Sequence, residues 1–191
     1  MAETAKRRAT YEDILALPEH LVGEIIDGEL YTQPRPAPKH AVAHSVLGFS
    51  LGGPFHGGIG GPGGWWIIDE PELHIDSDIL VPDLAGWRRE RMPALPDTAW
   101  FEIVPDWVCE VLSASTARID RSLKMPLYAR WGISHLWLVD PELRTLEAYV
   151  LEKGHWCLLT TLKDDDPVCQ PPFGAVEFPL DRLWAESAST S

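Results

Sequence analysis

Cysteine is scarce in this chain. Its three copies, Cys109, Cys157 and Cys169, are widely spaced and form no CxxC pair. This excludes a disulfide framework and a cysteine-based zinc cluster, and it is the usage expected of a cytoplasmic protein. Cys109 sits in an apolar run and reads as a reduced core residue. No apolar stretch approaches the ~20 residues of a membrane span, so no membrane partner is expected. Residues 1–10 are polar and basic and lack the apolar centre of a signal peptide. Positive charge is also in short supply: 16 Lys and Arg stand against 29 Asp and Glu, a net charge of −13. Such a surface repels nucleic acid, so a DNA partner would need a local basic patch. Lys6-Arg7-Arg8 and Arg88-Arg89-Glu90-Arg91 are the candidates, with solvated charge as the plainer reading of both. Residues 52–64 hold eight glycines and two prolines. No Gly-Lys-Ser/Thr closes that stretch, so it reads as a flexible loop and not as a phosphate cradle.

What is present suits one globular domain over residues 1–191, with its core at about 10–180 and a frayed tail at 186–191. The 191 residues are 45% hydrophobic. Thr10 begins a short helix in capping-box fashion with Asp13, and Pro18 follows soon after. Gly23 to Tyr31 reads as a hairpin about Asp27-Gly28. A helix is expected from Lys39 to about Leu51. Strands are expected at Trp65–Ile68, Leu73–Ile75, Ile79–Trp87, Trp107–Leu112, His135–Val139 and Ala175–Phe178. A hairpin about Lys153-Gly154 joins Thr145–Leu151 to Trp156–Thr161. Ser115-Thr116 can cap a helix running to Trp131, ended by Gly132, with Pro126 kinking it or marking a first turn. This order predicts a mixed α/β architecture.

The most informative run is Trp107-Val108-Cys109-Glu110-Val111-Leu112. It reads as a strand buried on both faces, interrupted by one carboxylate. A buried carboxylate costs several kcal/mol unless it meets a partner or a metal. Asp83 is embedded in a second such run, Ile79 to Trp87. Two acids in two apolar runs suggest one shared cation site. Glu24 is a third acid in an apolar setting, beside Ile25 and Ile26. Asp120, Lys124 and Tyr128 are four apart and share a helix face, while Leu123, Leu127 and Trp131 form an apolar stripe beside them. An ordinary Asp120–Lys124 pair is the bland alternative. His40 and His44 have zinc-pair spacing, but no third ligand is recognisable, and solvent exposure is the expected state of His44.

Several blocks together resemble one family. They are Glu24-Ile25-Ile26-Asp27-Gly28-Glu29, Pro38-Lys39-His40, Val81-Pro82-Asp83, Pro105-Asp106 through Glu110 to Ser113 and Thr116, then Asp120, Lys124, Tyr128, Gly132 and Trp137 to Pro141. This pattern resembles the Uma2 family. The resemblance implies a restriction endonuclease-like, PD-(D/E)XK fold: a mixed sheet flanked by helices, here with extra β-hairpins. It implies a Mg²⁺- or Mn²⁺-dependent endonuclease acting on DNA and assembling as a homodimer. Asp83 and Glu110 would be the metal ligands, Glu24 an extra acid, and His40, Asp120 and Tyr128 would face substrate. The superfamily's usual lysine, two residues after the second acid, is Leu112 here. Lys124 on the following helix is the residue that matches instead. A degenerate, non-enzymatic binding module and a hydrolase of small phosphorylated substrates are the rival readings, and both suit the acidic composition better.

Overall fold

A computed structural model describes residues 7–34 and 36–185. Lys6 and the expected tail at 186–191 lie outside the described residues. In chain order the elements are α1 (Tyr11–Leu15), β1 (Leu21–Ile26), β2 (Glu29–Pro34), α2 (Pro38–Leu51), β3 (Trp65–Asp69), β4 (Leu73–Ile75), β5 (Asp78–Leu80), β6 (Leu84–Arg88), β7 (Trp107–Val111), α3 (Ala117–Ile119), α4 (Met125–Trp131), β8 (His135–Asp140), β9 (Thr145–Glu152), β10 (His155–Lys163), β11 (Pro167–Val168) and β12 (Phe178–Pro179).

A six-stranded sheet in the order β10-β9-β8-β7-β6-β3 forms the body, beside a four-stranded sheet in the order β2-β1-β5-β4. All pairings in the larger sheet are antiparallel except β7 with β8. The parallel pair needs a long crossover, which the helical segment from Ala117 to Trp131 supplies. Both faces of the large sheet are covered. Trp107, Cys109 and Val111 pack with Ala43, Leu47 and Leu51 of α2. Val108 packs with Leu127, Leu136 and the small sheet's Ile26 and Leu80 on the other face. Double coverage explains why β7 is apolar without alternation. Leu127 of the expected stripe is buried there, with Leu123 and Trp131 against it.

Local turn chemistry holds where it was read. The Thr10 amide donates to Asp13 Oδ2 at 2.8 Å. Asp27 and Gly28 take φ of 52° and 83° between β1 and β2, the left-handed pair that a two-residue hairpin needs. Lys153 and Gly154 repeat this at 51° and 82°.

Four expectations need correction. The single strand Ile79–Trp87 is two strands in different sheets, β5 and β6, because Pro82 cannot donate to a ladder and the chain changes sheets there. Gly52 to Gly64 does not begin as a loop: Gly52–His56 extends α2 by a π-helical turn, anchored by buried Pro54 and Phe55. The expected strand Ala175–Phe178 shrinks to β12, Phe178–Pro179. The helix after β7 is not uniform. Asp120–Lys124 forms a π-helical turn between α3 and α4, with Pro126 in the first turn of α4. Thr116 is the N-cap of α3 but makes no side-chain cap hydrogen bond, and its own amide donates to the Ser113 hydroxyl at 3.2 Å.

Candidate active site

Asp83 and Glu110 come to one cavity beside the β6–β7 ladder. Leu84 pairs with Cys109 across β6 and β7. Asp83 and Glu110 are each the next residue along the chain beyond that pair. The Val111 amide donates to Asp83 Oδ2 at 2.7 Å, which fixes that carboxylate to the end of β7. Both acids line one cavity of about 160 Å³ at the junction of the two sheets. Asp83 does not belong to a core strand, as its apolar run suggested. It sits in the three-residue passage Val81-Pro82-Asp83 between β5 and β6.

Behind Glu110 lies a buried ionic cluster. Lys124, with a side chain only 1% exposed, places Nζ at 2.8 Å from Glu110 Oε1, 3.0 Å from Glu24 Oε1 and 3.7 Å from Asp120 Oδ1. The Tyr128 hydroxyl donates to the same Glu110 oxygen. Glu24 is held in turn by the Val81 amide at 2.9 Å, so the passage that carries Asp83 also anchors Glu24. One lysine faces three carboxylates. Burial pushes Glu110 well up, with Lys124 opposing and the neighbouring acids adding to the rise. Burial likewise pushes Asp120 up to about 6, against the pull of Lys124. Burial disfavours the Lys124 charge, but Glu110 and Glu24 outweigh it and raise the ammonium above the ordinary lysine range. Burial also raises the Tyr128 hydroxyl, so it stays a donor.

His40, in the first turn of α2, lines the cavity and sets Nε2 3.2 Å from Asp83 Oδ1. Burial lowers its basicity, but the Asp83 carboxylate more than compensates, so the imidazole titrates above its ordinary value. Asp120 also lines the cavity.

Three expectations about the site change. Tyr128 is fully buried behind Glu110 and positions that carboxylate; a substrate in the cavity would not meet it. Lys124 is not limited to the bland Asp120 pair: it is the centre of the ionic cluster, with Glu110 and Glu24 as closer neighbours. His44 is not solvent-exposed: its side chain is 13% accessible. Sequence reasoning missed Glu70 altogether. Glu70 lines the cavity, and its amide donates to the Asp83 carbonyl at 2.9 Å. It adopts φ of 45°, an unfavourable conformation for glutamate. No spacing rule flags an acid just past a strand end.

The basic patch Arg88 to Arg91 is tied into structure. Arg88 stacks over Trp65 at 4.6 Å and Arg89 over Trp66 at 3.9 Å, while Arg91 pairs with Asp106 at 2.8 Å. The cavity lining includes Glu70, Asp83, Glu110 and Asp120, and no lysine or arginine among the described residues.

The comparisons with known proteins agree with this architecture. A crystal structure from Anabaena variabilis, described as "a putative nuclease belonging to DUF820", superimposes with a TM-score of 0.68 at 22% identity, covering 92% of this chain and 97% of that one. At that identity the likeness establishes the fold. No curated protein matches the chain. The family model of Uma2, described as "Putative restriction endonuclease", matches residues 10–181. The chain therefore belongs to the Uma2 family and has a mixed α/β nuclease-type fold.

Proposed function

We propose that this protein is a divalent-cation-dependent endonuclease that hydrolyses phosphodiester bonds in DNA. The observation that carries the reading is that Asp83 and Glu110 line one cavity, with a buried lysine bonded to Glu110. The donor set fits Mg²⁺ or Mn²⁺, which take hard oxygen ligands and keep several waters. It also fits electrostatically: burial, with the neighbouring carboxylates adding to it, raises Glu110 and Asp120 against the pull of Lys124, and the cavity lining carries four acids and no lysine or arginine among the described residues. When bound, such an ion polarises the phosphoryl oxygen and lowers the pKa of attacking water.

The chain's own residues have separable roles in this reading. Asp83 and Glu110 hold the ion. Tyr128 and Lys124 orient Glu110 through its Oε1. Lys124 carries its charge one carboxylate away from the cavity, where it offsets the negative charge that gathers at phosphorus. Glu24 fixes Lys124, and His40 orients Asp83.

A second reading is favoured by one observation. The acidic cavity lining suits a small phosphorylated substrate that arrives with its own cation better than it suits a DNA backbone. One assay separates them. The wild-type chain should cleave plasmid DNA with Mg²⁺ or Mn²⁺, and Asp83→Asn and Glu110→Gln should each abolish cleavage while circular dichroism stays unchanged. Hydrolysis of a small aryl phosphodiester without DNA cleavage would favour the second reading. Cleavage retained in either variant would overturn the ligand assignment.

A further inference from the structure

A second group of metal-type donors shares Asp83. His44 stands one turn beyond His40 on α2, Glu70 follows β3, and Asp83 precedes β6. One ligand atom from each of the three lies within 4.8 Å of the other two. Ions bound at ~2.0–2.2 Å place ligand atoms up to ~4.3 Å apart, so a small side-chain adjustment closes the set.

Three features distinguish this group from a chance meeting of polar side chains. The Nε2 atom of His44 is shielded from solvent yet has no hydrogen-bond partner among the described residues. Its neighbour Asp69 Oδ1 is 3.6 Å away, beyond hydrogen-bond length. An orphaned buried nitrogen is costly unless something else takes its lone pair. Next, Glu70 is held beside Asp83 by its amide, at the expense of a left-handed backbone. Finally, Asp83 keeps acceptor capacity. His40 meets Oδ1 and the Val111 amide meets Oδ2, whereas a carboxylate offers about four lone-pair positions.

We propose that His44, Glu70 and Asp83 form a binding site for one transition-metal dication of the Mn²⁺ or Zn²⁺ type. The imidazole sets the class: a nitrogen donor with carboxylates suits these ions, whereas Mg²⁺ prefers an all-oxygen shell. The site goes beyond the hydrolytic reading. It shares Asp83 with that reading but needs neither Glu110 nor Lys124, so the two can fail separately.

The test is Mn²⁺ titration of the full chain, followed by loss of the free-ion EPR signal and by pulsed EPR for imidazole nitrogen coupling. Wild type should bind Mn²⁺ with a nitrogen coupling. His44→Ala should remove the coupling and weaken binding by about tenfold or more. Glu110→Gln should keep the coupling. If His44→Ala does not fold by circular dichroism, His44→Phe removes the donor while retaining most of the ring volume. No nitrogen coupling in wild type, or a coupling that survives loss of the His44 imidazole, overturns the site. Mg²⁺-driven cleavage by a wild-type chain without nitrogen coupling sinks this inference alone. Coupling in a chain that cleaves no phosphodiester sinks the hydrolytic reading alone.

Discussion

The Glu24–Glu110–Asp120–Lys124 cluster and the His40–His44–Glu70–Asp83 rim lie side by side at the sheet junction and differ in both solvent access and charge balance. In the cluster every member is buried, and a single ammonium is shared by three carboxylates at 2.8 to 3.7 Å. In the rim Glu70 is exposed, and no lysine or arginine contributes to the cavity lining. Burial forces internal charge compensation, because isolated charge in a dry interior costs many kcal/mol. Partial exposure relaxes that demand, so the rim can carry acids that no lysine or arginine in the lining compensates. The cluster holds Glu110 in place, whereas the rim's donors are the ones the proposed metal site would use.

The strongest way to break this contrast is to remove the shared cation. Lys124→Ala leaves buried carboxylates unpaired and should destabilise the fold by about 3–5 kcal/mol, measured by urea unfolding at neutral pH. A change below ~1 kcal/mol would mean that the cluster is hydrated and not dry. Loss of cleavage in this variant counts toward catalysis only where the protein is still folded.

A smaller effect should appear in pH dependence. Asp120 rises from 3.8 to about 6 in the folded state, mainly through burial. A raised folded value means that the folded state binds the proton more tightly. The stabilisation is therefore complete below pH ~4 and is lost as pH climbs through about 6. Its full size is about 2–3 kcal/mol. Relative to wild type, Asp120→Asn should gain stability by that amount between pH 4 and 7. Parallel pH profiles for the two proteins would show that Asp120 is not perturbed.

The smallest effect sharpens the contrast from the opposite side. Lys39 and Glu142 pair at 2.8 Å, as closely as Lys124 and Glu110, but their side chains are 58% and 66% exposed. Lys39→Ala should shift stability by less than ~0.5 kcal/mol in the same unfolding assay. Equal pair distance with unequal cost would isolate burial as the cause.

Much of the site was legible in the chain because buried charge is conspicuous. Glu110 and Asp83 stand out inside apolar runs, and the spacing of Asp120, Lys124 and Tyr128 put them on one face. Their roles were less legible. Tyr128 looked like a substrate contact and proved to be a buried donor to Glu110, because spacing reports which residues are neighbours and not which way the face points. Glu70 and the burial of His44 had no local signature at all.

By itself the sequence determined the hairpin turns at Asp27-Gly28 and Lys153-Gly154, the apolar strand β7, the long helix α2 and the two conspicuous acids. These rest on local preferences: left-handed turn residues, periodicity, and the cost of charge in apolar surroundings. Only the tertiary structure decided that the chain changes sheets at Pro82, that Asp83 and Glu110 line one cavity, and that a π-helical turn delivers Lys124 to Glu24 and Glu110 from far along the chain. Those contacts depend on strand register and on which face of a helix meets which sheet, and such long-range choices are set by burial of the whole core at once.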